Sequence, residues 1–372
     1  MFHLTSLEHI LSLFGEYACL CILITFTLST LIIPYPKTCI KNYTTLNNLN
    51  FIKILLTFGI VLHHIFNYLG IWNRADICVE FFFIISGFLL VYTNSFQQTF
   101  KSFTFSRIIR FIPYIFFANL LSLFGKEYID WPRFFSGIFL FSTTPLYPHH
   151  TYYMPAWYLV ILLWVAVFYF AVTKIFGKRA DCVIGAITLI SGISLHYHPG
   201  LIEDFNPLIP CLTNGMLRGL SCIGIGYFMT IIYKHNKNIL FKNKFLFTLF
   251  ELLLLIGLPL TLFWKPCEIN IEWELLGFVL LFDLFLLKRG LISLFFEHPI
   301  WLKMAKFTLP IYMTHDVIIP VMIYGSNILT PSSLVTKVFI LLVLATIFGI
   351  FTYYMFYMAS ILHKKIYIKK NP

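Results

Sequence analysis

Charge is what this chain has least of. Across 372 residues only 12% are Asp, Glu, Lys or Arg, 59% are hydrophobic, and mean hydropathy is +0.82. A soluble globular domain carries about 25% charged and about 45–50% apolar residues. So few polar groups cannot cover so much apolar surface in water. This excludes a secreted enzyme, a soluble nucleotide-binding domain and a disordered tail. Acids are scarcer still, at 16 against 27 bases, for a formal net charge of +11. Nucleic-acid binders carry such an excess as a patch on a soluble face. Here the bases fall between apolar runs, so no nucleic acid is expected as a partner. Paired-cysteine motifs are missing too. The eight cysteines form no CxxC pair and no zinc spacing. Cys19, Cys21, Cys182, Cys211 and Cys222 lie in or beside apolar runs and read as buried thiols rather than a disulfide framework. Internal repeats and low-complexity tracts are absent, and every polar loop is short, which leaves no space for a separate soluble domain.

What is present is a series of apolar runs. A spanning helix takes about 20 mostly apolar residues. That ruler finds about eleven, at residues 10–33, 51–71, 78–95, 108–124, 155–173, 182–198, 211–233, 245–264, 273–288, 307–325 and 335–360. The expected fold is therefore an all-α polytopic membrane helix bundle. The stretch 134–142 is too short to span and reads as interfacial or re-entrant. The bases test this map. With the N-terminus outside, 21 of the 27 fall on the cytoplasmic side, in groups that open with Lys37, Lys101, Lys174, Lys234, Lys288 and Lys364. The bias recurs loop by loop, as positive-inside topology requires, so the C-terminus is expected in the cytoplasm. Residues 1–45 read as an extra N-terminal membrane helix and cytoplasmic loop. They do not read as a signal peptide, because no base precedes the apolar run and Glu8 does. Residues 364–372 read as a basic cytoplasmic tail.

Ionisable residues inside a span are costly and mark function by default. The segment FIKILLTFGIVLHHIFNYLG carries the clearest set. Lys53 and His64 are eleven residues apart, which brings them to within about 20° of each other around the helix and about 16 Å apart along it. Thr57, Ile60 and Asn67 lie near the same line, while His63 points about 80° away. Such a polar stripe wants a cavity or water rather than lipid. His64 is the candidate general base. The next segment, DICVEFFFIISGFLL, places Glu80 at a depth within reach of His64, where a carboxylate could fix the tautomer of an imidazole and raise its basicity. Ser86-Gly87 supplies small residues for close helix approach. Arg107 and Arg110 share one face at the cytoplasmic end of the following segment. They suit phosphate oxygens, or serve as positive-inside anchors. Pro113 kinks that helix or ends its first turn. Trp157 lies near the outer interface, as an aromatic belt would place it. Tyr312, His315 and Asp316 form a polar cluster in a segment bounded by Pro310 and Pro320. His149-His150 and His196/His198 with Glu203 and Asp204 sit in outer loops, and no metal site is expected from them.

Taken in order, these stretches resemble the membrane acyltransferase-3 family of integral-membrane O-acyltransferases, many of which acetylate cell-surface glycans. The resemblance covers roughly residues 46–360. Its motifs are Lys53 and His64, standing for the family's Arg-x10-His; VEFFFIISGFLL with Glu80 as the acid; Arg107 and Arg110 leading to Pro113; Trp157 and Leu159; and the late Tyr312-x-x-His315. It implies a ten-helix acyltransferase domain, taken here as residues 46–363, with both ends cytoplasmic. The extra N-terminal helix is not explained by it. Two departures stand out. Lys53 keeps the charge of the usual Arg but loses its bidentate fork. Val160–Leu163 stands where many relatives have an acidic pair.

The resemblance implies acyl transfer from cytoplasmic acyl-CoA, acetyl-CoA by family usage, to a hydroxyl of a cell-surface or lipid-linked glycan in a bacterial cytoplasmic membrane. Acetyl-CoA would be a donor substrate and no cofactor would be permanently bound. Glycan-assembly proteins are expected as partners. On this reading Lys53, Arg107 and Arg110 meet the donor. His64 takes the hydroxyl proton, oriented by Glu80 or by Tyr312 and His315, or else forms an acyl-histidine. Trp157, Tyr312 and His315 form a substrate-binding or structural polar cluster. The residues alone also admit a transporter or flippase for a lipid-linked glycan, or a structural subunit in which His64 and Glu80 only join helices.

Overall fold

The computed structural model describes residues 46–124, 126–236, 243–263, 271–325 and 333–370. The expected N-terminal helix at 10–33 lies outside the described residues. All ten later apolar segments fall on helices. In chain order the helices are α1 (Asn47–Tyr68), α2 (Cys78–Tyr92), α3 (Phe100–Leu121), α4 (Trp131–Ile138), α5 (Trp157–Phe176), α6 (Ala180–Tyr197), α7 (Asn214–Asn236), α8 (Lys244–Phe263), α9 (Ile271–Leu286), α10 (Leu291–Phe295), α11 (Ile300–Ala305), α12 (Thr308–Tyr312), α13 (His315–Gly325) and α14 (Leu334–Lys370). Among the described residues seven helical stretches are long and apolar enough to cross a membrane, and one of them, Met154–Tyr197, contains both α5 and α6. The chain is a multi-pass membrane bundle. A single hairpin, Phe205–Asn206 against Ile209–Thr213, is the only named sheet among the described residues.

Hydropathy located the spans but missed three ends, each for a local reason. α3 begins at Phe100, eight residues before its apolar window, because Thr99 caps it by accepting from the Ser102 amide at 3.4 Å. Its first turns are polar and invisible to the ruler. Arg107 and Arg110 therefore lie two turns or more inside the helix, and Pro113 sits in its interior without ending it. α14 runs on to Lys370, through most of the segment expected as a tail; no proline stands in it before Asn371-Pro372. The stretch read as interfacial forms α4, capped by the Asp130 carboxylate, which accepts from the Arg133 amide at 3.3 Å. Its Trp131, Phe135 and Phe139 rings are exposed.

Helix α2 is the centre of the bundle. Its most extensive contact is with α7, and glycine permits it. A Cβ on Gly87 would strike the Ile223 backbone, and one on Gly226 would strike that of Ile84. The two backbones thus touch, as small residues allow in membrane packing, and Thr230 Oγ1 donates across to the Phe88 carbonyl at 3.1 Å. Two buried polar groups elsewhere show their structural partners plainly. The fully buried Glu251 of α8 accepts from the amides of Gly290, Ile292 and Ser293 at 3.0, 3.1 and 3.2 Å, capping α10. Asn119 on α3 accepts from the Tyr153 amide at 3.2 Å and from Thr151 Oγ1. That fixes the segment leading into α5.

Candidate active site

The second-to-last membrane segment is broken. α12 ends at Tyr312 and α13 begins at His315, with Pro310 and Pro320 in the two halves. A break leaves carbonyls at the end of the first half without helical partners. The Tyr312 carbonyl is one of them, and it accepts twice: from Tyr153 Oη at 2.5 Å and from His315 Nδ1 at 2.7 Å. The Tyr312 hydroxyl donates to the Pro155 carbonyl at 2.7 Å. The break thereby ties α12 to the start of α5 and turns His315 and Asp316 toward α1.

Asp316 meets His64. The His64 Nδ1 lies 3.2 Å from Asp316 Oδ1, with the two side chains 15% and 12% exposed. Asp316 Oδ1 has no hydrogen-bond partner among the described residues, and a proton held on Nδ1 toward it would leave Nε2 as the basic nitrogen. The His315 ring lies edge-on to that of His64, with centroids 4.9 Å apart. The neighbouring His63 is different in kind. Its Nδ1 donates to Asn73 Oδ1 at 2.7 Å, and its Nε2 accepts from Asn67 Nδ2 at 2.9 Å. Both nitrogens are occupied, so His63 is structural. Asn67, expected on the Lys53–His64 line, turns to His63 one helical turn away.

The expected pairing of Glu80 with His64 is corrected by the structure. Glu80 is buried and ion-paired with Arg218 of α7, whose guanidinium also lies 3.7 Å from Asp76 and stacks over Trp157 at 5.4 Å. The physical reason is neutralisation: a buried guanidinium in an apolar span demands a carboxylate, and Glu80 supplies it. Trp157 is likewise buried and not a lipid-facing belt residue. Sequence reasoning missed Arg218, although it is the one arginine inside an apolar span of α7, and it missed Asp316 as the partner of His64.

At the other end of α1, Lys53 lines a cavity of about 170 Å³ with Thr57, Ser86, Arg110, Tyr158 and Tyr312. A second cavity of about 400 Å³ is lined by Ser95, Gln98, Arg107 and Arg110 among others. Ser86, Leu89, Arg110, Phe111 and Leu162 border both, so the two adjoin. Among the described residues no carboxylate pairs with Lys53, Arg107 or Arg110. Arg107 is held in place by donating to the Phe103 carbonyl at 2.7 Å, with its guanidinium 3.6 Å from the Phe103 ring centre. The motif Ser86-Gly87 now has a physical reading: Ser86 faces the cavity and Gly87 lets α7 touch α2. The cavity reaches Tyr312, whose ring is 5.8 Å from that of His315. The polar stripe of α1 thus borders the cavity at Lys53 and Thr57, while His64 and Asp316 do not line it.

In the outer loops, His150 Nε2 lies 3.8 Å from Glu203. Burial holds the His150 imidazole below its ordinary value, and the Glu203 carboxylate opposes that shift.

An unpaired cationic cavity and a His–Asp pair thus both lie within this helical membrane bundle. The family is then decided by sequence. The acyltransferase-3 family model, described as an acyltransferase domain, matches residues 46–355, and the chain belongs to that family. It is an acyltransferase acting on groups other than amino-acyl groups. Neither a curated protein nor a solved structure matches the chain.

Proposed function

We propose that the protein transfers an acetyl group from cytoplasmic acetyl-CoA to a hydroxyl of a cell-surface or lipid-linked glycan in a bacterial cytoplasmic membrane. The observation that carries this reading is the division of α1: unpaired cations at one end, a carboxylate-backed imidazole at the other. The Lys53 end is the cytoplasmic end by the distribution of bases. Arg107, Arg110 and Lys53 bind the donor's phosphates, the guanidiniums by charge-assisted hydrogen bonds. The thioester arm passes Ser86 and Tyr158 to Tyr312, and transfer requires the Tyr312 side chain to move aside so that the thioester meets His64. The acceptor approaches from the opposite side, where His64 is partly exposed.

The chemistry follows from the tautomer. His64 Nε2 takes the proton of the acceptor hydroxyl while its oxygen attacks the thioester carbonyl. Asp316 holds Nδ1–H and stabilises the imidazolium that forms. The new C–O bond is made, the C–S bond breaks, and the proton passes from Nε2 to the CoA sulfur. Glu80 acts at a distance in this scheme, by keeping Arg218 and Trp157 in place beside the site.

The test is transfer itself. Membrane vesicles from cells producing the chain, given radiolabelled acetyl-CoA, are expected to label envelope glycan, and vesicles with His64→Ala are expected not to, at equal amounts of inserted protein. Equal labelling in the two would contradict the assignment of His64. No labelling above membranes that lack the chain would contradict the donor and acceptor.

A further inference from the structure

The two adjoining cavities differ in what borders them. The smaller, of about 170 Å³, holds Lys53 and Arg110 and runs past Ser86 and Tyr158 to Tyr312. The larger, of about 400 Å³, holds Arg107 and Arg110 and is bordered by Thr93, Ser95 and Gln98 from the link between α2 and α3. Lys101, one of the bases that mark the cytoplasmic side, follows that link directly. The larger cavity is therefore the mouth and the smaller one the interior. Of the three cations, Arg110 alone borders both. It is also the cation whose charge acts on each of the other two. The order from the mouth inward is thus Arg107, Arg110, Lys53.

Charge in this order asks for an anion in two places. No carboxylate lines either cavity, and Arg107 borders only the mouth. Its guanidinium is fixed before any ligand arrives, by the bond from Nη1 to the Phe103 carbonyl at 2.7 Å and by the Phe103 ring beneath it. Nε and Nη2 keep their donors for a ligand, and a pre-set group loses less freedom on binding. The hydroxyls beside it are committed elsewhere: Ser106 Oγ donates to the Phe103 carbonyl at 3.1 Å, and Ser95 Oγ lies 2.8 Å from Thr93 Oγ1. An acyl-CoA carries its phosphates in a matching pattern. A diphosphate joins the pantetheine arm to the ribose, and a separate phosphate sits on the ribose 3′-oxygen, away from the arm.

We propose that Arg107 binds the 3′-phosphate of the donor, while Arg110 and Lys53 hold the diphosphate where the two cavities meet. Arg107 thereby sets a preference for coenzyme A over its 3′-dephospho form. The inference rests on the reading of an acyl-CoA as donor. A guanidinium suits a terminal phosphate because its fork matches two phosphate oxygens. An arginine that only anchored the helix to lipid phosphate would be blind to the 3′ position of a nucleotide.

The experiment is calorimetry on the full chain in an uncharged detergent, with CoA and with 3′-dephospho-CoA as ligands. The wild type is expected to bind CoA about tenfold more tightly, the value of one charge-assisted hydrogen bond. Arg107→Ala is expected to lose that factor for CoA and nothing for the dephospho form, so that the two bind alike. Arg107→Lys, with the charge and without the fork, should keep part of the preference. Arg110→Ala should weaken both ligands about tenfold and preserve their ratio. In acetyl transfer by vesicles, Arg107→Ala should raise KM for acetyl-CoA about tenfold and leave kcat within about twofold. If Arg107→Ala fails to accumulate, Arg107→Gln makes the same comparison. A wild-type chain that binds the two ligands equally overturns the proposal with no variant needed, and leaves acyl-CoA standing as the donor. A preference that survives Arg107→Ala overturns it and returns Arg107 to the role of lipid anchor. A preference that is lost in Arg110→Ala overturns the division between the two arginines. A wild-type chain that binds neither ligand overturns the proposal and the reading of the donor together.

Discussion

The two ends of α1 handle charge in opposite ways. Around Lys53, the three cations that border the cavity have no carboxylate partner among the described residues. At the far end, Arg74 meets Glu274 at 3.0 Å, Arg218 meets Glu80, and His64 meets Asp316 at 3.2 Å. A buried pair is neutral and belongs to the scaffold, whereas cations left open on a cavity await an anion from elsewhere. The comparison separates residues that look alike in sequence. Arg218 and Arg110 are both arginines in apolar helices, yet one is fixed to a carboxylate and the other faces the space where a donor would enter. His63 and His64 are adjacent, yet one has both nitrogens occupied and the other has a free Nε2.

This contrast can be broken by substitution. The largest effect is expected at the pair that mixes both behaviours. Asp316→Asn should keep the shape but lose the carboxylate that fixes His64, with kcat falling about 10³- to 10⁴-fold and the protein still inserted; transfer kinetics against protein amount would check it. Next comes the scaffold pair. Glu80→Gln should strand Arg218 and destabilise the bundle by about 3–5 kcal/mol, read as a lower thermal midpoint in detergent. Glu80→Gln with Arg218→Met should regain most of that loss. A Glu80→Gln protein of normal stability and no activity would instead return Glu80 to the reacting groups. A smaller effect is expected at the open end. Lys53→Met should raise KM for acetyl-CoA about tenfold without lowering the thermal midpoint, and Lys53→Arg should bind the donor at least as well, since a guanidinium adds a fork to the same charge. The smallest is Glu203→Gln, far from the cavity, which should leave transfer within about twofold.

Much of this fold was legible because the bilayer imposes a length and a polarity on each span. Ten segments after the first could be placed from apolar runs, and the interruption at Tyr312–His315 was signalled by Pro310 and Pro320. Helix ends were less legible, since the polar turn at Phe100–Ser106 forms on a Thr99 cap that hydropathy ignores. The candidate site was legible as a set of residues and not as a set of pairs. Lys53, Arg110 and Tyr312 do line one cavity. The partner of Glu80 stands 138 positions away, and that pairing comes from the contact of α2 with α7, which no local pattern encodes. The demand for a partner was visible all the same, in an arginine at position 218 within an apolar helix.

The central claim is that donor binding and proton transfer reside at different ends of one helix. Binding of CoA itself, by calorimetry on the solubilised full chain, tests it without any acceptor. His64→Ala should bind CoA as the wild type does, and Arg110→Ala should bind it about tenfold more weakly. Equal weakening in both, or wild-type affinity in Arg110→Ala, would contradict the account.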